Sequence, residues 1–215
     1  MAKVAPSLLS ADFSKLNQWL PFLEEAEVDM VQWDIMDNKY VPNFGNKLED
    51  IGFFRKKTKL FFDCHLMVQK PLDYLKQLQD FSADSVTFHV ETVKEPKNAI
   101  KQIRDFGFGV GISANNKIPV KKILPFIGEV NIALVMSVQA GFGGQGFIFE
   151  SLEKVKALRK LIDKERHNCE VQIDGGINLE TGKLAVDAGV DILVAGSFIF
   201  KSKSPKEAIL ALKSL

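Results

Sequence analysis

Eight short apolar runs alternate with longer amphipathic stretches along the chain, and no other feature constrains its fold so tightly. The runs are rich in β-branched residues, the pattern of strands buried on both faces of a parallel sheet. They are Lys3–Leu9, Met30–Met36, Leu60–Val68, Ser85–Glu91, Phe108–Ala114, Ile132–Val138, Glu170–Asp174 and Ile192–Phe198. Between and after them, apolar residues three and four apart predict helices near 12–28, 46–57, 71–82, 95–106, 118–128, 147–166, 178–188 and 204–214. Asn178 and Ser204 suit helix caps, and Pro71, Pro96, Pro119 and Pro205 suit a first helical turn. Gly107, Gly128 and Gly189 fall where a left-handed helix end is expected.

Eight β-then-α units with no linker or low-complexity break predict an α/β chain folded as one (β/α)8 TIM barrel over residues 1–215. An open doubly wound sheet would carry a glycine-rich turn after its first strand. This chain has Ala5-Pro-Ser-Leu-Leu-Ser10 there, with no GxGxxG.

Composition narrows the partners. The residues are 46% hydrophobic and 26% charged, with a net charge of +1 and acids and bases interspersed. Neither nucleic acid nor a membrane surface is an expected partner. No apolar run approaches the about 18–20 residues that span a bilayer. The opening Met-Ala-Lys-Val-Ala-Pro lacks the apolar stretch of a secretory signal. Cys64 and Cys169 form no CxxC pair, so the expectation is two free thiols in a reducing cytoplasm.

In such a barrel the chemistry sits at the C-terminal ends of the strands. Strand one carries Ser7, strand two Gln32, Asp34 and Met36, and strand three Asp63, His65 and Met67. Strand six carries Met136, strand seven ends at Asp174, and strand eight runs into Gly196-Ser197. Alternation puts the side chains of each triplet on one face. An acid inside Val-Gln-Trp-Asp-Ile-Met or Val-Gln-Ile-Asp-Gly-Gly faces a large desolvation cost unless something pairs with it. A backbone or lysine partner would suffice for either acid alone. Asp34, His65 and Asp174 together form an oxygen and nitrogen set suited to one divalent ion, with zinc, manganese, iron and cobalt all open. His89 reads as structural and His167, in Lys-Glu-Arg-His-Asn, as solvated. Three turns, Gly141-Phe142-Gly143-Gly144, Gly175-Gly176 and Gly196-Ser197, offer backbone N–H groups for a phosphate. Met36, Met67 and Met136 read equally as core fillers or as an apolar wall that keeps water from a reactive intermediate.

Over almost its whole length the chain resembles the ribulose-phosphate 3-epimerase family, a ribulose-phosphate-binding barrel. The resemblance rests on Pro6-Ser-Leu-Leu-Ser-Ala-Asp-Phe13, Asp34-Ile-Met-Asp37 with Val41-Pro-Asn43, and His65-Leu-Met67. It continues in Val135-Met-Ser-Val138, Gly141-Phe-Gly-Gly-Gln145, Asp174-Gly-Gly-Ile177 and Ala195-Gly-Ser197. It implies a metal-dependent isomerase that inverts C3 of a ketopentose phosphate through a cis-enediolate. Asp34 and Asp174 would exchange the proton from opposite faces. Asp34, His65 and Asp174 would hold the metal, and Ser7, His65 and the three methionines would line the substrate. The glycine turns would cradle the phosphate. A homo-oligomer stays open.

The chain also departs from that family. Gln32 stands where the family has a ligating histidine, and a glutamine carbonyl is a harder, weaker donor. Asn38 stands at a usual glycine, the loop after Pro42-Asn43 is shortened, and Gln139-Ala140 and Ser113–Asn116 replace segments bearing Asn-Pro. These changes leave three readings open: ribulose 5-phosphate, another ketose phosphate such as allulose 6-phosphate, or a sugar-phosphate binder without catalysis. A Schiff-base aldolase would need a lysine at a strand's C-terminal end, and none of the eight runs offers one.

Overall fold

The structure is a computed structural model and describes every residue from Met1 to Leu215. Its strands are β1 (Lys3–Pro6), β2 (Val31–Met36), β3 (Phe62–Met67), β4 (Ser85–His89), β5 (Gly109–Ala114), β6 (Ile132–Met136), β7 (Glu170–Asp174) and β8 (Ile192–Ala195). All neighbours pair in parallel, in the order β1-β8-β7-β6-β5-β4-β3-β2. A parallel bridge between Ser7 and Gln32 joins the two outer strands and closes the barrel. The α-helices are α1 (Leu16–Glu25), α2 (Leu48–Arg55), α3 (Leu75–Asp80), α4 (Pro96–Asp105), α5 (Ser151–Glu165), α6 (Leu179–Asp187), α7 (Ser197–Phe200) and α8 (Pro205–Lys213). None is long and apolar enough to cross a membrane.

Strand alternation divides the interior. Outward residues such as Trp33, Phe62, Cys64 and Phe88 are fully buried in the core beneath the helices. Burial of one such large side chain contributes about 1.5–3 kcal/mol. Inside the barrel, Met30, Ile132 and Ile192 pack near the N-terminal ends of the strands, with Ala5 and Val194 next to them toward the cleft. Met36, Met67, Leu134 and Met136 pack at the opposite end with Val41 and Ala140. Between these apolar layers lie Gln32, Asp34, Asp63, His65 and Gln172, a polar belt joined by hydrogen bonds, with the amide oxygens of Gln32 and Gln172 left without partners. Both cysteines are buried and unpaired.

Several boundaries differ from the sequence reading. β1 ends at Pro6 and a single 3-10 turn, Leu8–Ser10, follows it. β8 ends at Ala195, because the backbone turns at Gly196 into α7. The stretch expected as a helix over 118–128 is two 3-10 segments, Val120–Lys122 and Leu124–Glu129. Pro125 lacks the N–H that would bond Lys121 in a continuous α-helix, and Pro119 precedes the first segment in extended geometry. Gly128 lies inside the second segment, not at a left-handed end. A Cβ there would stand 2.8 Å from the His167 ring, so close packing explains the glycine. Gly107 and Gly189 do take positive φ, at 93° and 108°. Asn178 caps α6 by accepting from the N–H groups of Glu180 and Thr181, whereas Ser204 makes no side-chain cap on α8.

Candidate active site

A cleft opens at the C-terminal mouth of the barrel. Ser7, Asp34, Met36, Met67, Met136, Asp174 and all three glycine turns line it. His65 and Gln32 are fully buried and lie beneath that wall rather than in it. His65 meets the acids of the floor from below.

The polar groups of the floor converge closely. Asp34 and His65 are register partners on β2 and β3, with Oδ1 and Nδ1 3.0 Å apart. Asp174 Oδ2 lies 3.8 Å from the same Nδ1. Ser7 Oγ donates to Asp34 Oδ2 at 2.6 Å. Gln32 Nε2 donates to both carboxylates, at 2.9 Å to Asp34 Oδ1 and 3.0 Å to Asp174 Oδ2. Its Oε1 is buried without a partner.

Electrostatics follow from this crowding. Burial, and after it the Asp34 charge, pushes the Asp174 carboxyl up to about 7. Burial works against a charged His65. The Asp34 hydrogen bond and charge, with Asp174 behind them, outweigh it and raise His65 above its usual value.

The loop after β2 holds Asp34 from behind. Asn46 accepts from the Asp34 N–H at 2.8 Å and donates its own N–H to the Asp34 carbonyl at 2.7 Å. Gly45 makes that approach feasible, since a Cβ there would come within 2.0 Å of the same carbonyl. Asn38 sits at φ 54°, the left-handed region that glycine and asparagine tolerate best.

At the rim, Gly175 and Gly176 have φ of 119° and 65°, and a Cβ on Gly176 would reach 2.9 Å from the Phe147 nitrogen. Asn43 Nδ2 donates to the Gly141 carbonyl at 2.7 Å and ties the β2 loop to the first glycine turn. The methionines pack on one another and line the cleft.

Sequence reasoning set aside His89, which the structure brings to the site. Its Nε2 lies 2.8 Å from His65 Nε2, and its Nδ1 2.9 Å from Tyr40 Oη. Tyr40 in turn donates to Glu91 Oε1 at 2.7 Å. The available signal was the alternation Ser85, Thr87, His89 on β4, polar on one face as on β2 and β3. Tyr40 and Asn46 left no such signal, because loop residues carry no periodicity. His167 is paired with Glu165 at 2.9 Å, remote from the site's residues in role and composition.

The ligand atoms of Asp34, His65 and Asp174 all lie within 4.8 Å of one another. Two carboxylates and an imidazole suit a divalent ion, and the crowding of the two buried acids is what such an ion would relieve.

Residues 3–200 match the profile of the ribulose-phosphate 3 epimerase family. This chain belongs to that family. Curated ribulose-phosphate 3-epimerases resemble it closely. The protein of Schizosaccharomyces pombe is 38% identical over 99% of this chain and 93% of its own length. The cytoplasmic isoform of Oryza sativa has the same identity and coverage, and the enzyme of Treponema pallidum is 40% identical over 92% of this chain and 90% of its own. Among solved structures, 3-hexulose-6-phosphate synthase of Salmonella typhimurium superposes with a TM-score of 0.72 at 16% identity, covering 99% of this chain and 97% of that one. KGPDC from Streptococcus mutans does so at 0.71 and 18%, covering 100% and 96%. These distant likenesses support the barrel, while membership of the ribulose-phosphate 3-epimerase family makes the chain an isomerase of the epimerase type.

Proposed function

We propose that this protein interconverts D-ribulose 5-phosphate and D-xylulose 5-phosphate by epimerisation at C3, with Asp34 and Asp174 as its acid and base. The convergence of these two acids on one cleft floor carries the reading. Asp174, pushed up to about 7, is poised to hold or release a proton near neutral pH. Asp34, held by Ser7 and Asn46, faces it from the other side of the barrel. One carboxylate takes the C3 proton from one face, and the other returns a proton from the opposite face.

The residues present fit one divalent ion, held by Asp34, His65 and Asp174. When bound, it polarises the substrate oxygens and stabilises the negative charge that develops next to C3. Gln32 can join them if its amide turns over, since the two ends of the group are nearly alike in shape. That turn would bring the unpartnered Oε1 to the ligand side. A glutamine oxygen in place of a nitrogen favours manganese over zinc. The glycine turns at 141–144, 175–176 and 196–197 offer backbone N–H groups to the phosphate, and Met36, Met67 and Met136 keep bulk water from the reacting carbons. A cytoplasmic location accords with the name of the Oryza sativa relative.

A second reading keeps the chemistry and changes the sugar. The loop carrying Asn38, bound to His89 of β4 through Tyr40, favours it because this segment packs beside the cleft. Turnover of a panel containing ribulose 5-phosphate, allulose 6-phosphate and other ketose phosphates decides between them. The first reading expects the pentose phosphate to have the highest kcat/KM. A six-carbon substrate ahead by tenfold or more would replace it.

A further inference from the structure

Four side chains outside the proposed acid–base pair form one continuous hydrogen-bonded row. It runs from Glu91 through Tyr40 and His89 to His65, at 2.7, 2.9 and 2.8 Å. Its polarity follows from the groups themselves. Glu91 as a carboxylate accepts only, and it takes the Tyr40 proton as well as the Asn115 N–H at 2.9 Å. Having given its single proton, Tyr40 must accept, so the proton of His89 sits on Nδ1. A neutral histidine has one N–H, which leaves His89 Nε2 bare. It therefore accepts, and the donor is His65 Nε2. With its Nε2–H spent on His89, His65 turns Nδ1 to Asp34 and Asp174, where this atom either shares a second proton with Asp34 or gives its lone pair to an ion.

A bare lone pair aimed at two carboxylates is repulsive unless a cation stands between them. We propose that Tyr40, His89 and Glu91 are positioning residues that set the tautomer of His65, so that Nδ1 is presented as a metal ligand. This inference rests on the metal-binding reading above. Tyr40 comes from the loop after β2, so the ligand atom of His65 is tied to the seating of that loop.

The row makes an asymmetric prediction. In Glu91→Leu Tyr40 loses its acceptor and is free to give its proton to His89 Nδ1, which turns every bond in the row around. His89 would then carry its own proton on Nε2, and His65 would be protonated on Nδ1, where the ion belongs. Glu91→Gln keeps an amide oxygen where the Asn115 N–H and Tyr40 both need an acceptor, so it should keep the direction of the row. Tyr40→Phe only breaks the row. Zinc and manganese affinities of the full chain, by competition titration, should fall about 10–100-fold in Glu91→Leu and less in Tyr40→Phe. In the double variant of Glu91→Leu and Tyr40→Phe the reversed row is cut, so affinity should recover toward that of Tyr40→Phe. Histidine 15N NMR should find His89 as the Nδ1–H tautomer in the wild type and as Nε2–H in Glu91→Leu. Additive losses with unchanged tautomers would mean a merely structural role and overturn the proposal. If the wild type bound neither ion, the metal reading would fail by itself. The His89 tautomer would then still decide on the row: Nδ1–H would support it, and Nε2–H would overturn it.

Discussion

Asp34 and His65 are partners in the register of β2 and β3, and their side chains meet inside the barrel with Oδ1 3.0 Å from Nδ1. Strand register sets this buried carboxylate against an imidazole nitrogen, and the loop after β2 then holds Asp34 from behind through Asn46.

Replacing either acid should stop epimerisation without stopping all proton chemistry. Asp34→Asn and Asp174→Asn are each expected to lower turnover about 10²–10⁴-fold. Each variant keeps the carboxylate for one face, so it should still exchange the C3 hydrogen of one epimer with solvent deuterium. Mass spectrometry of recovered substrate checks this. Exchange of both epimers in either variant would contradict the two-sided assignment.

Gln32→His should exchange a neutral amide for an imidazole at the same inward position. Zinc affinity is expected to rise about tenfold or more, with a smaller gain for manganese. Parallel titration of the two ions measures it. Equal affinities before and after would place Gln32 outside the ligand set.

The phosphate assignment predicts a change in KM. In Gly196→Ala the new Cβ would stand 2.5 Å from Ser10 Oγ at the cleft wall. Ground-state binding should weaken about tenfold with kcat altered less. A loss confined to kcat would move the phosphate elsewhere.

Much of this was legible in the sequence because period-two alternation is a local signal. It correctly grouped Gln32 with Asp34 and Asp63 with His65, and the barrel followed from the repetition of the strands. Alternation does not reveal depth: His65 is fully buried beneath the residues that line the cleft. The row Glu91–Tyr40–His89 joins residues from a loop and a strand about fifty positions apart, so nothing local announced it. The segment 118–128 differs because its apolar spacing is helical while Pro125 removes a hydrogen bond that a continuous α-helix needs.

Glu91 also has a signature in acid. Burial opposes its charge, but His89 and Tyr40 outweigh burial and hold it at about 2, against an ordinary 4.5. A depressed folded value means that the unfolded chain binds the proton first, so the contribution is present above about 4.5 and lost as pH falls toward 2. The melting temperature of the wild type should therefore drop more steeply across that window than that of Glu91→Gln. Parallel acid profiles would remove Glu91 from the stabilising network.

The central claim is that two acids and a bound divalent ion act together on a pentose phosphate. Its most direct test is epimerisation of ribulose 5-phosphate by the metal-stripped protein, before and after addition of manganese, zinc, iron or cobalt. The account predicts little turnover when stripped and recovery with at least one ion, manganese foremost. Full activity in the stripped protein, or none with any ion, would contradict it.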